Sequence, residues 1–252
     1  MKLTFLGTGT STGVPNLACH CRVCTSPDPR DKRTRPSLLI RFDGRALVID
    51  TTPDFRAQAL REGLDRLDAV LFTHAHADHI LGLDDVRVYY FRQQKPIPIY
   101  ANAQCMQDIK RIFKYIFDGD YPYGGIARLD PRLIDGPFEV EGLKVIPVPL
   151  MHGNLPILGF RMNDVAYLTD VSEIPETSYP LLQGLDVLVL DALRPHPHPT
   201  HLTVEQSLNL MERLRVRRGY CTHIAHDLGH EETNAKLPPH VRLAYDGLQL
   251  EF

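Results

Sequence analysis

Short apolar runs, set apart by polar turns, recur from one end of the chain to the other. Residues 2–7 make the first, and 37–43 with 45–49 make a pair joined at Asp43-Gly44, the sequence signal of a hairpin. Residues 69–72 (Ala-Val-Leu-Phe), 96–100, 143–150, 187–190 and 219–222 read as further strands. Residues 157–162 and 165–169 form another hairpin, and two short strands around Arg242 and Leu248 close the chain.

Helical spacing appears between these runs. A helix is expected over about 54–62. After the 69–72 strand, Ile80, Leu81, Leu83, Val86 and Tyr90 recur at the period of one helix face. A helix over about 103–117 would carry Met106, Ile109, Ile112, Phe113 and Ile116 on one side. Thr203-x-x-Gln206 is a capping box opening a helix to about residue 214. The strands fall into two groups, each finished by helices, which predicts an α/β sandwich of two sheets with helices outside. No internal repeat, low-complexity segment or interdomain linker interrupts residues 1–252, so one domain is expected.

Composition narrows the function classes. The chain has 252 residues and a formal net charge of −3, so it lacks a global basic footprint for nucleic acid. No run of 18 apolar residues exists, so no membrane span is expected. Met1 to Gly7 enters a strand directly and lacks a signal peptide's apolar run, which predicts a cytoplasmic protein. The five cysteines are odd in number and clustered, unlike a disulfide framework.

Chemistry concentrates in four places. Thr73-His74-Ala75-His76-Ala77-Asp78-His79 lies where a strand stops and a helix begins, a rigid place from which to aim side chains. Three imidazoles and a carboxylate in six positions read as metal ligands rather than as loop polarity. Four apolar strands end in a metal-competent residue, at Thr73-His74, Met151-His152, Thr169-Asp170 and Thr222-His223. If those ends share one rim, His74, His76 and His152 would hold one ion, and Asp78, His79 and His223 a second. Asp170 would bridge them, at a separation of about 3.5–4 Å with a hydroxide between. Two divalent ions less two carboxylates and that hydroxide leave about +1, favouring a small anionic substrate. Asp50, at another strand end, is equally a second-layer partner for a ligand His or a turn residue.

Cys19-x-Cys21-x-x-Cys24 is the second concentration. Thiolates at this spacing grip one tetrahedral zinc from a loop, with a fourth ligand from elsewhere. Gly7-Thr8-Gly9-Thr10-Ser11-Thr12-Gly13 is the third. It lacks the dinucleotide spacing and a following helix, so it reads as a turn where the backbone passes close to a neighbour. The fourth is the Pro-broken loop carrying His196, His198 and His201. The aromatic stretch Tyr115 to Tyr123 is expected to overhang the pocket.

His74-x-His76-x-Asp78-His79 after a hydrophobic strand resembles the signature of the metallo-β-lactamase-fold hydrolases, implying a four-layer αββα sandwich. Within that fold the chain is most similar to the phosphoribosyl 1,2-cyclic phosphate phosphodiesterases of the carbon–phosphorus lyase pathway. The likeness rests on Leu6-Gly7-Thr8-Gly9, the cysteine insert and Thr222-His223-Ile224-Ala225-His226. It implies that His226 completes a structural zinc site with Cys19, Cys21 and Cys24. It implies that His201 acts near the leaving group and that Asp78 serves catalysis as well as metal binding; His196 and His198 are rivals for the His201 role, read from their place between prolines as solvent-exposed loop residues. A metal-bridging hydroxide would open a cyclic phosphodiester, with Mn or Zn, or else Fe or Ni, at the paired site. It also suggests a homodimer. The stretch 83–94 departs from the phosphonate-pathway enzymes and looks more like relatives without assigned substrates.

Other readings use the same residues. Ribonuclease Z has a similar ligand set, but the long basic arm that grips tRNA has no counterpart here. A lactonase or thioesterase would use the same hydroxide on a carbonyl. Iron oxidoreductases of this fold include one with Glu at the second His position, where this chain has His76. A nucleic-acid module would rest on Arg22, Arg30, Arg33 and Arg35 around the cysteines. Asp28 and Asp31 interrupt that run and no aromatics accompany it.

Overall fold

The computed structural model describes residues 1–118 and 125–252. Most of the predicted aromatic overhang, residues 119–123, lies outside the described residues. The first sheet contains β1 (Lys2–Gly7), β2 (Ser37–Phe42), β3 (Arg45–Ile49), β4 (Ala69–Leu71), β5 (Ile97–Ala101) and β6 (Leu129–Leu133). The second contains β7 (Phe138–Val140), β8 (Leu143–His152), β9 (Leu155–Met162), β10 (Val165–Leu168), β11 (Val187–Asp191), β12 (Arg218–Thr222) and β13 (Val241–Leu243). The last strand, β14 (Gln249–Glu251), returns to the first sheet beside β1.

Both sheets follow one plan. β1 to β3 pair antiparallel and β3 to β6 run parallel. Likewise β7 to β10 pair antiparallel and β10 to β13 run parallel. Leu38, Ile40, Leu47, Ile49, Phe160, Tyr167, Val187 and Val189 pack between the sheets, while Leu39, Val48 and Val70 on one sheet and Ala166, Leu188 and Leu190 on the other face outward under helices. Strands buried on both faces explain why these runs are continuously apolar instead of alternating.

The helices α1 (Phe55–Arg61), α2 (Ala77–Ile80), α3 (Arg87–Gln93), α4 (Ala103–Ile112) and α5 (Lys114–Phe117) cover the first sheet. The second is covered by α6 (Val204–Arg213) and a 3-10 helix at Glu176–Leu182, and α7 (His230–Asn234) lies beside β13. The expected αββα sandwich is therefore observed. The Thr203–Gln206 capping box is formed in both directions. No helix among the described residues is long and apolar enough to cross a membrane.

Two expected helices are broken. From Ala77 the chain forms α2, a 3-10 turn at Leu83–Val86, and α3, with Tyr89 buried in place of Tyr90 and Leu81 exposed. Gly82 causes the break: its amide donates to the Thr51 carbonyl at 2.9 Å, pulling the chain onto the start of α1. The 103–117 helix stops at Ile112, which is 45% exposed, and resumes as α5 after Phe113. In the glycine loop a Cβ on Gly7 would lie 1.9 Å from the Arg35 carbonyl oxygen, so close passage of backbone accounts for that glycine.

Candidate metal centre

Four chain exits at one rim of the sandwich build the site. His74 follows β4, His152 ends β8, Asp170 lies just past β10 and His223 follows β12. Three of these strands are parallel, and a site at the carboxyl ends of parallel strands is the usual arrangement in open α/β sheets. Leaving the sheet there takes sharp turns: Asp50, Asp170 and His223 have φ of 62°, 58° and 57°. Left-handed backbone at residues with a Cβ is strain held by the surrounding packing.

His74, His76 and His152 bring one ligand nitrogen each within 4.8 Å of the others. Asp78, His79, Asp170 and His223 form a second such group, fully buried. Asp170 lies between the groups, with Oδ1 3.2 Å from His79 Nε2 and Oδ2 3.3 Å from His223 Nε2 and 4.0 Å from His74 Nε2.

Hydrogen bonds behind the ligands decide which nitrogens face the centre. His79 Nδ1 donates to Asp50 Oδ2 at 2.8 Å. Thr73 Oγ1 also donates to Asp50 Oδ2, at 2.8 Å, and so accepts from His74 Nδ1 at 3.0 Å. His152 Nδ1 donates to the Thr200 carbonyl at 2.8 Å. With the Nδ1 hydrogens committed, the Nε2 atoms present lone pairs inward. His79 Nε2 then faces Asp78 Oδ2 at 3.3 Å as well as Asp170, lone pair against lone pair. Such contacts repel unless a cation lies among them. His74 Nε2, Asp78 Oδ2, His79 Nε2 and His223 Nε2 are all buried without a hydrogen-bond partner. Orphaned buried polar atoms converging on two points are what a pair of cations would satisfy.

The electrostatics agree. Without an ion, and against the opposing effect of burial, Asp170, Asp78 and Asp50 hold the His79 pKa well above its usual value, drawing onto Nε2 a proton whose place a metal cation would take. Burial alone would raise the Asp170 carboxyl, but His223 and His79 hold it well below. Burial, reinforced by His79, pushes His74 well below its usual value and keeps it neutral. The residues fit two divalent ions.

His201 stands beside this centre. Its Nδ1 donates to Asp191 Oδ2 at 2.8 Å, and its ring stacks on His223 at 4.5 Å between centroids. A ring nitrogen of His201 lies within 4.8 Å of ligand atoms on His152 and Asp170. Asp191 is completely buried and also accepts from the Val171 amide at 2.8 Å. Burial raises its carboxyl and His201 pulls the other way. His196 is exposed, as expected. His198 is not a free loop residue: it packs against the His201 ring at 5.0 Å and accepts from Thr200 Oγ1 at 3.1 Å.

Cys19, Cys21, Cys24 and His226 converge at a separate point. Their sulfurs lie 3.2, 3.4 and 3.5 Å from His226 Nδ1. A tetrahedron with Zn–S of about 2.3 Å and Zn–N of about 2.0 Å has N···S edges of roughly 3.5 Å. The thiols are free. The Cys24 amide pointing at Cys21 Sγ lowers that thiol to about 6 against burial, whereas burial raises Cys24 to about 11. The four side chains suit one zinc. The arginines around them are taken up: Arg33 is buried, and Arg22, Arg30 and Arg35 pair with Glu232, Asp28 and Asp54.

Asp191, Thr73 and Thr200 were not singled out from the sequence as site residues. Asp191 carries the one available signal, an acid closing an apolar strand as Asp170 does. Asp50 resolves as the partner of His79.

Comparison with known proteins places this geometry. Residues 45–224 match the family described as the beta-lactamase superfamily domain. A solved structure described as a diphosphatase from the PhnP family is 50% identical, with a TM-score of 0.94, over 100% of this chain and 96% of that one. A Porphyromonas gingivalis protein named octanoyltransferase is 42% identical over 253 residues, covering 99% of this chain and 51% of that protein. The zinc-bound PqqB structure from Methylobacterium extorquens is 20% identical, with a TM-score of 0.79, and covers 100% of both chains, a likeness of fold. The chain spans about half the length of the first curated relatives it matches.

Proposed function

The chain belongs to the beta-lactamase superfamily, with the metallo-β-lactamase fold of its hydrolases, and from that premise we propose a phosphodiesterase acting at a phosphorus that carries two bridging oxygens. A cyclic phosphodiester of the phosphoribosyl 1,2-cyclic type has such a phosphorus, and so does a diphosphate substituted at both ends. The PhnP-family diphosphatase, at 50% identity, supports that substrate class. The observation that carries the reading is the pair of ligand groups joined by Asp170, with the His201–Asp191 pair at their edge.

Two divalent ions, when bound, would supply a nucleophilic water of lowered pKa and neutralise charge on the phosphoryl oxygens. His74, His76 and His152 would hold one, Asp78, His79 and His223 the other, and Asp170 both. Against two dications, Asp78 and Asp170 leave the pocket net positive, which draws in an anionic ester. The remaining chemistry belongs to His201. Asp191 fixes its Nδ1–H and stabilises the imidazolium, so that Nε2 can give a proton to the departing oxygen as the P–O bond breaks. In a cyclic ester that oxygen stays attached and the product is a monoester.

The test is a panel on Mn²⁺- and Zn²⁺-loaded protein: ribose 1,2-cyclic phosphate 5-phosphate, a 2′,3′-cyclic nucleotide, ADP-ribose, a lactone and a thioester. The phosphorus substrates should turn over and the carbonyl substrates should lag. His201→Ala should lower kcat by about 10²–10⁴-fold with metal content unchanged. Faster lactone or thioester hydrolysis would overturn the substrate class, and undiminished turnover in the variant would remove His201 from its role.

A further inference from the structure

A cavity of about 260 Å³ opens directly beside the His74–His76 face of the centre. Its walls come from two elements. Ile112 at the end of α4 contributes one, and Leu155 with Pro156 at the start of β9 contributes the other. Ile112 is 45% exposed although it closes a helix whose other large apolar residues, Met106 and Ile109, are buried. Polar heads are presented by the same helix. Gln104 Nε2 donates to Asp108 Oδ2 at 3.0 Å, and Arg111 Nη2 donates to Asp108 Oδ1 at 3.0 Å. Asn102 is not available in the same way, because its oxygen accepts from the Cys105 amide at 2.8 Å as the cap of α4.

From this we infer a seat for a nucleobase, so that the substrate is a nucleotide ester or a nucleoside diphosphate ester. Three properties select that ligand class. The volume falls below the roughly 300–1,000 Å³ of pockets for drug-sized molecules, so it takes one ring system. Apolar walls facing a rim with both donors and acceptors suit a flat heterocycle with polar edges. A bare sugar would leave Ile112, Leu155 and Pro156 uncovered, and a lipid chain would strip water from Asp108 and Arg111 without replacing it. The position is also right: His74 and His76 line the cavity, so a group joined through a sugar to the reacting phosphorus would reach it. The seat rests on the phosphorus reading of the centre, and it separates a nucleotide from a simple ribosyl phosphate as the natural substrate.

Binding is measured on metal-loaded protein by calorimetry with AMP and with ribose 5-phosphate, which differ in the group at C1 of the sugar, adenine in one and a hydroxyl in the other. AMP should bind at least tenfold more tightly. Ile112→Trp fills the cavity from an exposed position and should bring AMP to the level of ribose 5-phosphate, leaving ribose 5-phosphate binding and ribose 1,2-cyclic phosphate 5-phosphate turnover within about twofold of wild type. Gln104→Ala, also at an exposed position, should weaken AMP severalfold and leave ribose 5-phosphate unchanged. Equal binding of the two ligands to the wild type overturns the seat, as does an Ile112→Trp protein that loses both alike. An AMP preference in a protein that hydrolyses no phosphorus ester supports the seat and counts against the phosphorus chemistry; ester hydrolysis without the preference does the reverse.

Discussion

Asp50 accepts three hydrogen bonds, from the Thr73 amide at 2.9 Å, the Thr73 hydroxyl at 2.8 Å and His79 Nδ1 at 2.8 Å. Together these fix the His79 tautomer and, through Thr73, that of His74, so one carboxylate orients a ligand of each ion. Partners of this kind typically change metal affinity by about 10–100-fold when removed. Asp50→Ala should therefore weaken divalent-ion affinity by that factor, read by competition with a chromophoric chelator, and an unchanged affinity would make Asp50 a turn residue only. The sequence left Asp50 open because an acid at a strand end serves a turn or a ligand equally well. His74, His76, Asp78 and His79 were legible because four such residues crowd six positions. His152, Asp170 and His223 were legible because each ends an apolar strand. Asp191 ends one too, but its role depends on His201, which reaches it from a loop ten residues on.

At the level of elements, Gly82 is the clearest case of tertiary contact overriding local pattern. Apolar residues from Ile80 to Tyr90 have helical spacing, yet the chain bends because Gly82 packs on the 51–52 backbone. A Cβ there would lie 2.1 Å from the Thr52 carbonyl oxygen and 2.7 Å from Phe55 Cβ. Gly82→Ala must displace α1 or the turn after α2, which carries Asp78 and His79. It should destabilise by about 1–3 kcal/mol, the usual cost of overpacking, and lower metal occupancy with it. Denaturant melts of metal-free and metal-loaded protein check this; wild-type stability in the variant would show that the turn yields without cost. The elements that escaped the sequence reading have a common reason. β6 is polar and contains Pro131, tolerable because it is the edge of its sheet, and β7 and α7 have only three and five residues. Short or polar elements carry too little periodicity to stand out, whereas strands buried on both faces do not escape notice.

Across the whole molecule, the two-sheet sandwich could be read from strand grouping, but not the connection that ties its ends together. Arg33, from beyond the cysteine insert, is buried and donates to Thr8 Oγ1 at 2.9 Å and to the Ala244 carbonyl. Its second nitrogen reaches His230 Nδ1 at 3.2 Å, while the His230 amide donates to Asp31 Oδ1 at 2.8 Å. Beside it Asp246 accepts from the Thr8 and Thr34 amides. This network joins the glycine loop, the insert and the last turns of the chain, segments far apart in sequence. Burial, with Arg33 and Arg30 nearby, lowers His230 to about 4. The folded protein thus keeps His230 neutral where an unfolded chain, with an ordinary value near 6.5, would protonate it. Its contribution is complete above pH 6.5 and is lost as the pH falls from there towards 4. At about 1.4 kcal/mol per pK unit, the loss between pH 7 and pH 5 is on the order of 2 kcal/mol. His230→Gln keeps an acceptor for Arg33 and cannot titrate, so its stability should fall less over that interval by about that amount. Denaturant melts of both proteins at the two pH values make the comparison, and the protonation of metal ligands, common to both, cancels in the difference. Parallel losses would mean that Arg33 does not hold His230 neutral. A flatter response in the variant would place the acid sensitivity of the fold in the join between the insert and the chain's end.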